Sequence, residues 1–241
     1  MVYRSFSRKL CSFLFLCRAT RVVWIGGEKM KIIQNLVSPS KYNIKCPYTM
    51  VPEFIVVHNT ANDASARDEI AYMIRNDNKV SFHYAIDDKE IVQGIPENRN
   101  AWHAGDGTNG PGNRKGIGIE ICYSKSGGKR FEEAEKLAAK FIAFKLKEKG
   151  WGIDKVKKHQ DFSGKYCPHR TLDMGWQRFL DMVKSELDKL KEADKNIPSS
   201  WAKEAWEWAK KEGITDGTNP KDPITREQVV TMLYRFAKKV K

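Results

Sequence analysis

Residues 52–59 read Pro-Glu-Phe-Ile-Val-Val-His-Asn. Ile55, Val56 and Val57 are β-branched, and with Phe54 they make an unbroken apolar run. Such a run predicts a strand buried on both faces. His58 closes it, at the sheet edge where α/β proteins place their ligand sites. Downstream, Ser65 to Asn76 predicts a helix. Ser65 is a fitting N-cap, Asp68 and Glu69 lie in the first turn, and Ile70, Met73 and Ile74 share one face.

The pattern continues outward. Ser81 to Asp87 alternates like a strand, Asp87-Asp88-Lys89 turns, and Glu90 to Gln93 returns. Asn98 to Arg114 is rich in Gly and Asn without a period, which predicts a long functional loop. Gly116 to Tyr123 is a further strand. Phe131 to Lys149 is an amphipathic helix stopped by Gly150. Val156 to His159 is a short strand and Thr171 to Leu190 a helix. Alternating strands and helices imply an α/β domain with both sheet faces covered. Residues 191–200 read as a polar linker. Residues 201–241 form a small all-α unit, with helices from Trp201 and after Thr225 around a turn-rich loop, 213–220.

Composition supports a folded chain. Of 241 residues, 41% are hydrophobic, with 11 Phe, 8 Tyr and 7 Trp, enough for a real core. No apolar run approaches the ~20 residues of a membrane span. Five Cys are too few, and odd in number, for a disulfide framework. The net charge of +13 favours an anionic partner. That charge is spread along the chain without a Lys/Arg-rich tract, so no specific nucleic-acid partner is expected.

Residues 1–29 read differently. A basic start, the short apolar run Leu10 to Cys17 and then Arg18 and Arg21 make a weak signal-like segment. Gly26-Gly27-Glu28-Lys29-Met30 can be encoded by a bacterial ribosome-binding sequence ahead of a start codon. The expectation is that translation begins at Met30 and that 1–29 is an upstream extension outside the fold. The catalytic domain is then 30–190.

Five histidines are present: His58, His83, His103, His159 and His169. His159 and Cys167 bracket HQDFSGKYC, a polar loop able to turn back and present both groups to one centre. Imidazole and thiolate are favoured zinc ligands, and three protein ligands with an open position is the catalytic pattern. Spacing alone leaves both a zinc site and structural His and Cys open.

The strings FIVVHNTAND (54–63), SFHYAIDDKEIVQG (81–94), AWHAG (101–105), GIGIEICYS (116–124) and KKHQDFSGKYCPHR (157–170) occur in this order. Together they resemble the type 2 N-acetylmuramoyl-L-alanine amidases, zinc enzymes of phage lysins and bacterial wall turnover that are related in fold to peptidoglycan recognition proteins. The resemblance covers roughly residues 50–190. It implies a mixed central sheet flanked by helices, and Zn2+ as cofactor on His58, His159 and Cys167. It also implies catalytic roles for Lys165 and for Glu120. Some phage members use a Tyr before the His of the second motif; Phe82 stands there, which shifts the general base onto Glu120.

The chemistry fits those roles. Zinc lowers the pKa of water to about 7 and polarises a carbonyl. A carboxylate such as Glu120 can move a proton from water to the leaving amine. A cation such as Lys165 can face the developing oxyanion. The plainer alternatives are a satisfied strand glutamate and an ordinary loop lysine. Asn59, Thr60, His83, Trp102 and His103 are candidate substrate contacts; strand-end capping is the alternative for Asn59 and Thr60, and a core role for His83. His169 is either near the ligands or on the surface. Cys122 reads as a small buried hydrophobe. A thiolate ligand implies folding under reducing conditions, such as a bacterial cytoplasm, before action on the cell wall after release or secretion.

Residues 197–236 are similar to one surface-layer-homology (SLH) module. That resemblance implies binding to an anionic secondary cell-wall polymer, with Trp201 and Arg226 as contacts, and single-copy avidity through self-association. The function expected is hydrolysis of the amide between N-acetylmuramic acid and L-alanine in peptidoglycan. A non-catalytic peptidoglycan-binding protein of the same fold, and a zinc peptidase acting on the stem peptide, remain alternatives.

Overall fold

The computed structural model describes residues 20–25 and 28–239. Seven strands form one mixed sheet: β1 (Thr20–Ile25), β2 (Glu28–Gln34), β3 (Phe54–Asn59), β4 (Tyr84–Ile86), β5 (Ile91–Gln93), β6 (Gly116–Ile121) and β7 (Val156–Lys158). Their spatial order is β1-β2-β5-β4-β6-β3-β7. β3 lies between β6 and β7, parallel to both. Among the described strands, the β1–β2 and β4–β5 pairs are antiparallel and the others parallel.

The period-2 geometry of strands divides β3 and β6 into two functional faces. Ile55, Val57, Ile117, Ile119 and Ile121 enter the main hydrophobic core. His58 and Glu120 alternate with them, so they point to the other face, and they are register partners across the ladder. Gly118 shares that face. A Cβ on Gly118 would lie 2.8 Å from the His103 ring, so glycine is what lets that ring lie against the strand.

The helices are α1 (Tyr42–Lys45), α2 (Ala66–Arg75), α3 (Pro111–Lys115), α4 (Gly128–Lys149), α5 (Gln160–Ser163), α6 (His169–Asp173), α7 (Trp176–Lys195), α8 (Lys203–Lys211) and α9 (Arg226–Lys239). Ser65 caps α2, its Oγ accepting from the Asp68 amide. Gly150, with φ +67°, ends α4, and the Gly150 and Trp151 amides return to Lys147 and Leu146 carbonyls. α2 packs on β4 and β5, and α4 on β4 and β6. α7 packs on α4 through Phe179, Val183, Leu187 and Leu190, one stripe at helical spacing. No helix among the described residues is long and apolar enough to cross a membrane.

Four expectations need correction. Part of the segment 1–29 is in the sheet: Thr20–Ile25 pairs with Glu28–Gln34. Residues 1–19, with the signal-like run, lie outside the described residues. The loop 98–114 carries α3 at its end, begun by Pro111 and capped by Asp106, whose carboxylate accepts from the Gly112 and Asn113 amides. The helix expected from Thr171 to Leu190 is two, separated at Gly175, whose φ of +104° interrupts the helix. The linker expected over 191–200 starts later, because α7 runs on to Lys195. The Lys, Glu and Ala of KEADK are good helix formers, so a polar stretch there is an exposed helix end.

Candidate metal centre

Three side chains converge at the end of β3. His58 is supplied by the strand itself. His159 follows β7, the parallel neighbour, and its amide donates to Val57 O at 3.3 Å. The chain then makes α5, turns at Gly164 with φ +73°, and comes back. The return is fixed by the Gln160 amide donating to Cys167 O at 3.0 Å. One short loop thus delivers both His159 and Cys167.

The donor atoms are close. His58 Nδ1 lies 3.0 Å from His159 Nδ1 and 3.9 Å from Cys167 Sγ. All three donor atoms fall within 4.8 Å of one another, and all three residues are buried. Two imidazoles and a thiol at that separation could hold a metal ion. The two rings are held in the neutral form that can ligate a metal. Burial, with His103, His159 and Lys165 beside it, holds the His58 ring neutral, its pKa well below the usual range. Burial and Lys165 also lower that of His159. The Cys167 thiol is pushed up to about 11 by burial and by Glu120. Metal binding must therefore displace the thiol proton.

Glu120 stands next to this cluster. Burial and the neighbouring Glu69 push its carboxyl up to about 8, against the opposing Lys165 charge. Among the described residues, its Oε2 is buried without a hydrogen-bond partner. A buried carboxylate without a partner is costly, so it signals a functional position. Lys165 is exposed on the loop before Cys167, and its charge reaches His58, His159, Glu120 and Cys167.

Several expected substrate contacts have their polar atoms engaged within the protein. His83 is fully buried; its Nδ1 accepts from the Gly118 amide at 2.9 Å, and its Nε2 donates to Arg99 O at 2.9 Å. It is a satisfied core histidine tying the loop after β5 to β6. The Trp102 indole donates to Ile44 O at 3.0 Å and packs edge-on against Tyr48, anchoring the loop to α1. His103 is 7% exposed, and both its ring nitrogens are engaged, with His58 Nε2 at 3.0 Å and Gly116 O at 3.2 Å. Asn59 has the parity of the core face. Its Oδ1 accepts from the Arg170 and Thr171 amides at 3.0 and 3.2 Å, capping α6 immediately after the Cys167 loop. Thr60 is half-buried, and its hydroxyl turns to Asn62 O at 3.5 Å. The His169 ring contacts Ser124 O at 3.3 Å.

Residues outside the sequence reading also build the site. Asn113 Oδ1 accepts from both the His103 and Ala104 amides at 2.8 Å, and this holds the AWHAG loop against the histidines. The signal was only an Asn in a Gly-rich loop, which composition does not separate from an ordinary turn residue.

An α/β sheet with a His-His-Cys cluster at a strand end, beside a buried carboxyl oxygen without a partner among the described residues, is an arrangement that could hold a hydrolytic metal. Residues 48–170 match the N-acetylmuramoyl-L-alanine amidase family Amidase_2, and the chain belongs to that family. It is 63% identical over 162 residues to the N-acetylmuramoyl-L-alanine amidase CwlA of Bacillus subtilis (strain 168), covering 67% of this chain and 60% of that protein. XlyB of the same organism, also an N-acetylmuramoyl-L-alanine amidase, is 60% identical over 172 residues, covering 71% and 54%. The structure of PlyL is similar with a TM-score of 0.64 and 56% identity, covering 65% of this chain and 99% of that one. The catalytic domain of XlyA matches with a TM-score of 0.58 and 40% identity, covering 63% and 98%. The chain spans 60% and 54% of the length of CwlA and XlyB respectively.

Proposed function

We propose that the chain is a zinc-dependent amidase that hydrolyses the bond between N-acetylmuramic acid and L-alanine in peptidoglycan, and so lyses cell walls as an endolysin does. The observation that carries this is the convergence of His58, His159 and Cys167 beside Glu120, within a chain of the amidase family. Zinc fits the donor set. Zn–N bonds of ~2.0–2.1 Å and Zn–S of ~2.3 Å place tetrahedral donors about 3.3–3.6 Å apart. The separations from His58 Nδ1, 3.0 Å to His159 Nδ1 and 3.9 Å to Cys167 Sγ, bracket that range.

His58, His159 and Cys167 hold the ion in this reading. Bound zinc supplies Lewis acidity, making water acidic near neutral pH and polarising the amide carbonyl. Glu120 takes a proton from the attacking water and returns it to the L-alanine nitrogen as the C–N bond breaks. Glu120 Oε2, buried without a hydrogen-bond partner among the described residues, is open to that proton. Lys165, exposed at the rim, faces the oxyanion as charge develops on the carbonyl oxygen. The test is lysis of walls by purified protein with chelator and after zinc is returned. Loss and recovery support the metal reading, and lysis untouched by chelator contradicts it.

The C-terminal helices are proposed to serve as an SLH-like anchor for an anionic wall polymer, with self-association compensating for a single copy. Trp201 is 88% exposed, and Arg226 opens α9 at the surface. α8 and α9 meet through Trp208 and Phe236 and through the Lys239–Glu212 ion pair. Binding of walls stripped of secondary polymer, compared with intact walls, tests this role. Equal retention on both removes it. Synthesis in the cytoplasm and action on the wall after release or secretion follow from the endolysin reading.

A further inference from the structure

We infer that the AWHAG loop sets the tautomer of the candidate ligand His58, and that His103 is a positioning residue for the metal rather than a substrate contact. This rests on the metal reading above. A carbonyl oxygen can only accept a hydrogen bond. Gly116 O lies 3.2 Å from His103 Nε2, so His103 carries its proton on Nε2 and keeps a lone pair on Nδ1. That lone pair faces His58 Nε2 at 3.0 Å. His58 must then donate from Nε2, which leaves a lone pair on Nδ1, the atom that faces His159 and Cys167.

The second ring lies against the same loop, since a Cβ on Gly105 would lie 3.4 Å from His159 Nε2. The His58 Nδ1 lone pair faces His159 Nδ1 at 3.0 Å and Cys167 Sγ at 3.9 Å. The loop thus prepares the His58 donor atom for a metal before the metal arrives. Asn113 Oδ1 holds the His103 and Ala104 amides at 2.8 Å, and Gly118 leaves room for the His103 ring.

Loss of such an outer partner usually lowers metal affinity about 10–100-fold. The test uses the full chain. Long-range 1H–15N correlation of 15N-histidine in the zinc-loaded protein reads the tautomers directly. His103 is expected to show a protonated Nε2 and a pyridine-type Nδ1, and His58 a protonated Nε2. A protonated Nδ1 on His103 overturns the inference, whatever the variants do. Zinc affinity is then measured by chelator competition. His103→Phe removes the acceptor and is expected to bind zinc about 10–100-fold more weakly. His103→Asn places an amide oxygen near the Nδ1 position and is expected to recover most of that loss. Gly118→Ala, which displaces the ring, should weaken zinc in the same direction. Folding is followed by thermal melting. A folded His103→Phe protein with wild-type zinc affinity contradicts the inference. Failure of the wild-type chain to bind zinc instead removes the metal reading on which it stands.

Discussion

Glu120 lies opposite His58 in the parallel ladder of β3 and β6, so the two side chains leave the same face of the sheet side by side. This pairing puts a carboxyl next to a candidate metal donor without using a loop. The position is set by the ladder, and no hydrogen-bond donor among the described residues reaches Oε2. Glu120→Gln is expected to lower wall hydrolysis about 10²–10⁴-fold, the usual contribution of a general acid–base group. Zinc stoichiometry, read by elemental analysis, should not change. Activity within a few-fold of wild type would remove Glu120 from the chemistry.

The raised Glu120 pKa has a sign that can be measured in the metal-free protein. The folded state holds this proton up to about pH 8, while an ordinary glutamate releases it near 4.5. Between those values the folded state binds more protons than the unfolded state, so stability falls as pH rises through the window. Glu120→Gln is expected to flatten that fall in urea melts between pH 5 and 8, and to be no less stable than wild type at pH 8. An unchanged slope would show that Glu120 is not the group responsible.

Glu97 carries the opposite sign. Burial alone would raise its carboxyl. Lys145 at 2.6 Å, with hydrogen bonds from Tyr84 and Lys149, outweighs burial and holds it at about 2. Its stabilisation is present above the ordinary value of 4.5 and is lost as pH falls toward 2. Lys145 is 2% exposed, so Lys145→Met leaves a buried carboxylate short of its main partner and is expected to cost about 3–5 kcal/mol. The double variant with Glu97→Gln should recover much of this. Additive losses in the double-mutant cycle would contradict the coupling.

Capping is a local test of the fold. Ser65→Ala removes the acceptor for the Asp68 amide and is expected to destabilise by about 1 kcal/mol, with activity per folded molecule unchanged. Asn59→Ala also removes a cap, but one that holds α6 directly after Cys167. It is expected to weaken zinc as well as stability. Chelator competition on the two variants separates them; equal zinc affinity in both would show that the Asn59 cap does not bear on the Cys167 loop.

The central sheet was legible because its residues signal locally. The run Phe54 to Val57 is β-branched and apolar, Ser65 is a cap, and Gly150 is a stop, and each appears in the fold in that role. The candidate ligands came from ordered motifs, and the fold brings His58, His159 and Cys167 together. What was not legible depends on three-dimensional partners. His83, Trp102, His103 and Asn59 look like contact residues in sequence, yet each has its polar atoms committed to the protein itself. Nothing local tells a histidine that orients a ligand from one that touches substrate. The end of α7 was missed for a different reason: an exposed helix end and a polar linker share a composition.

The bond cut is the central claim. Purified Gram-positive walls digested by the zinc-loaded chain should gain free L-alanine amino ends without new reducing sugars, and chelator should abolish the gain. New amino ends elsewhere in the stem peptide would make the chain a peptidase, and wall binding with no new ends would make it a recognition protein; either result would contradict the amidase account.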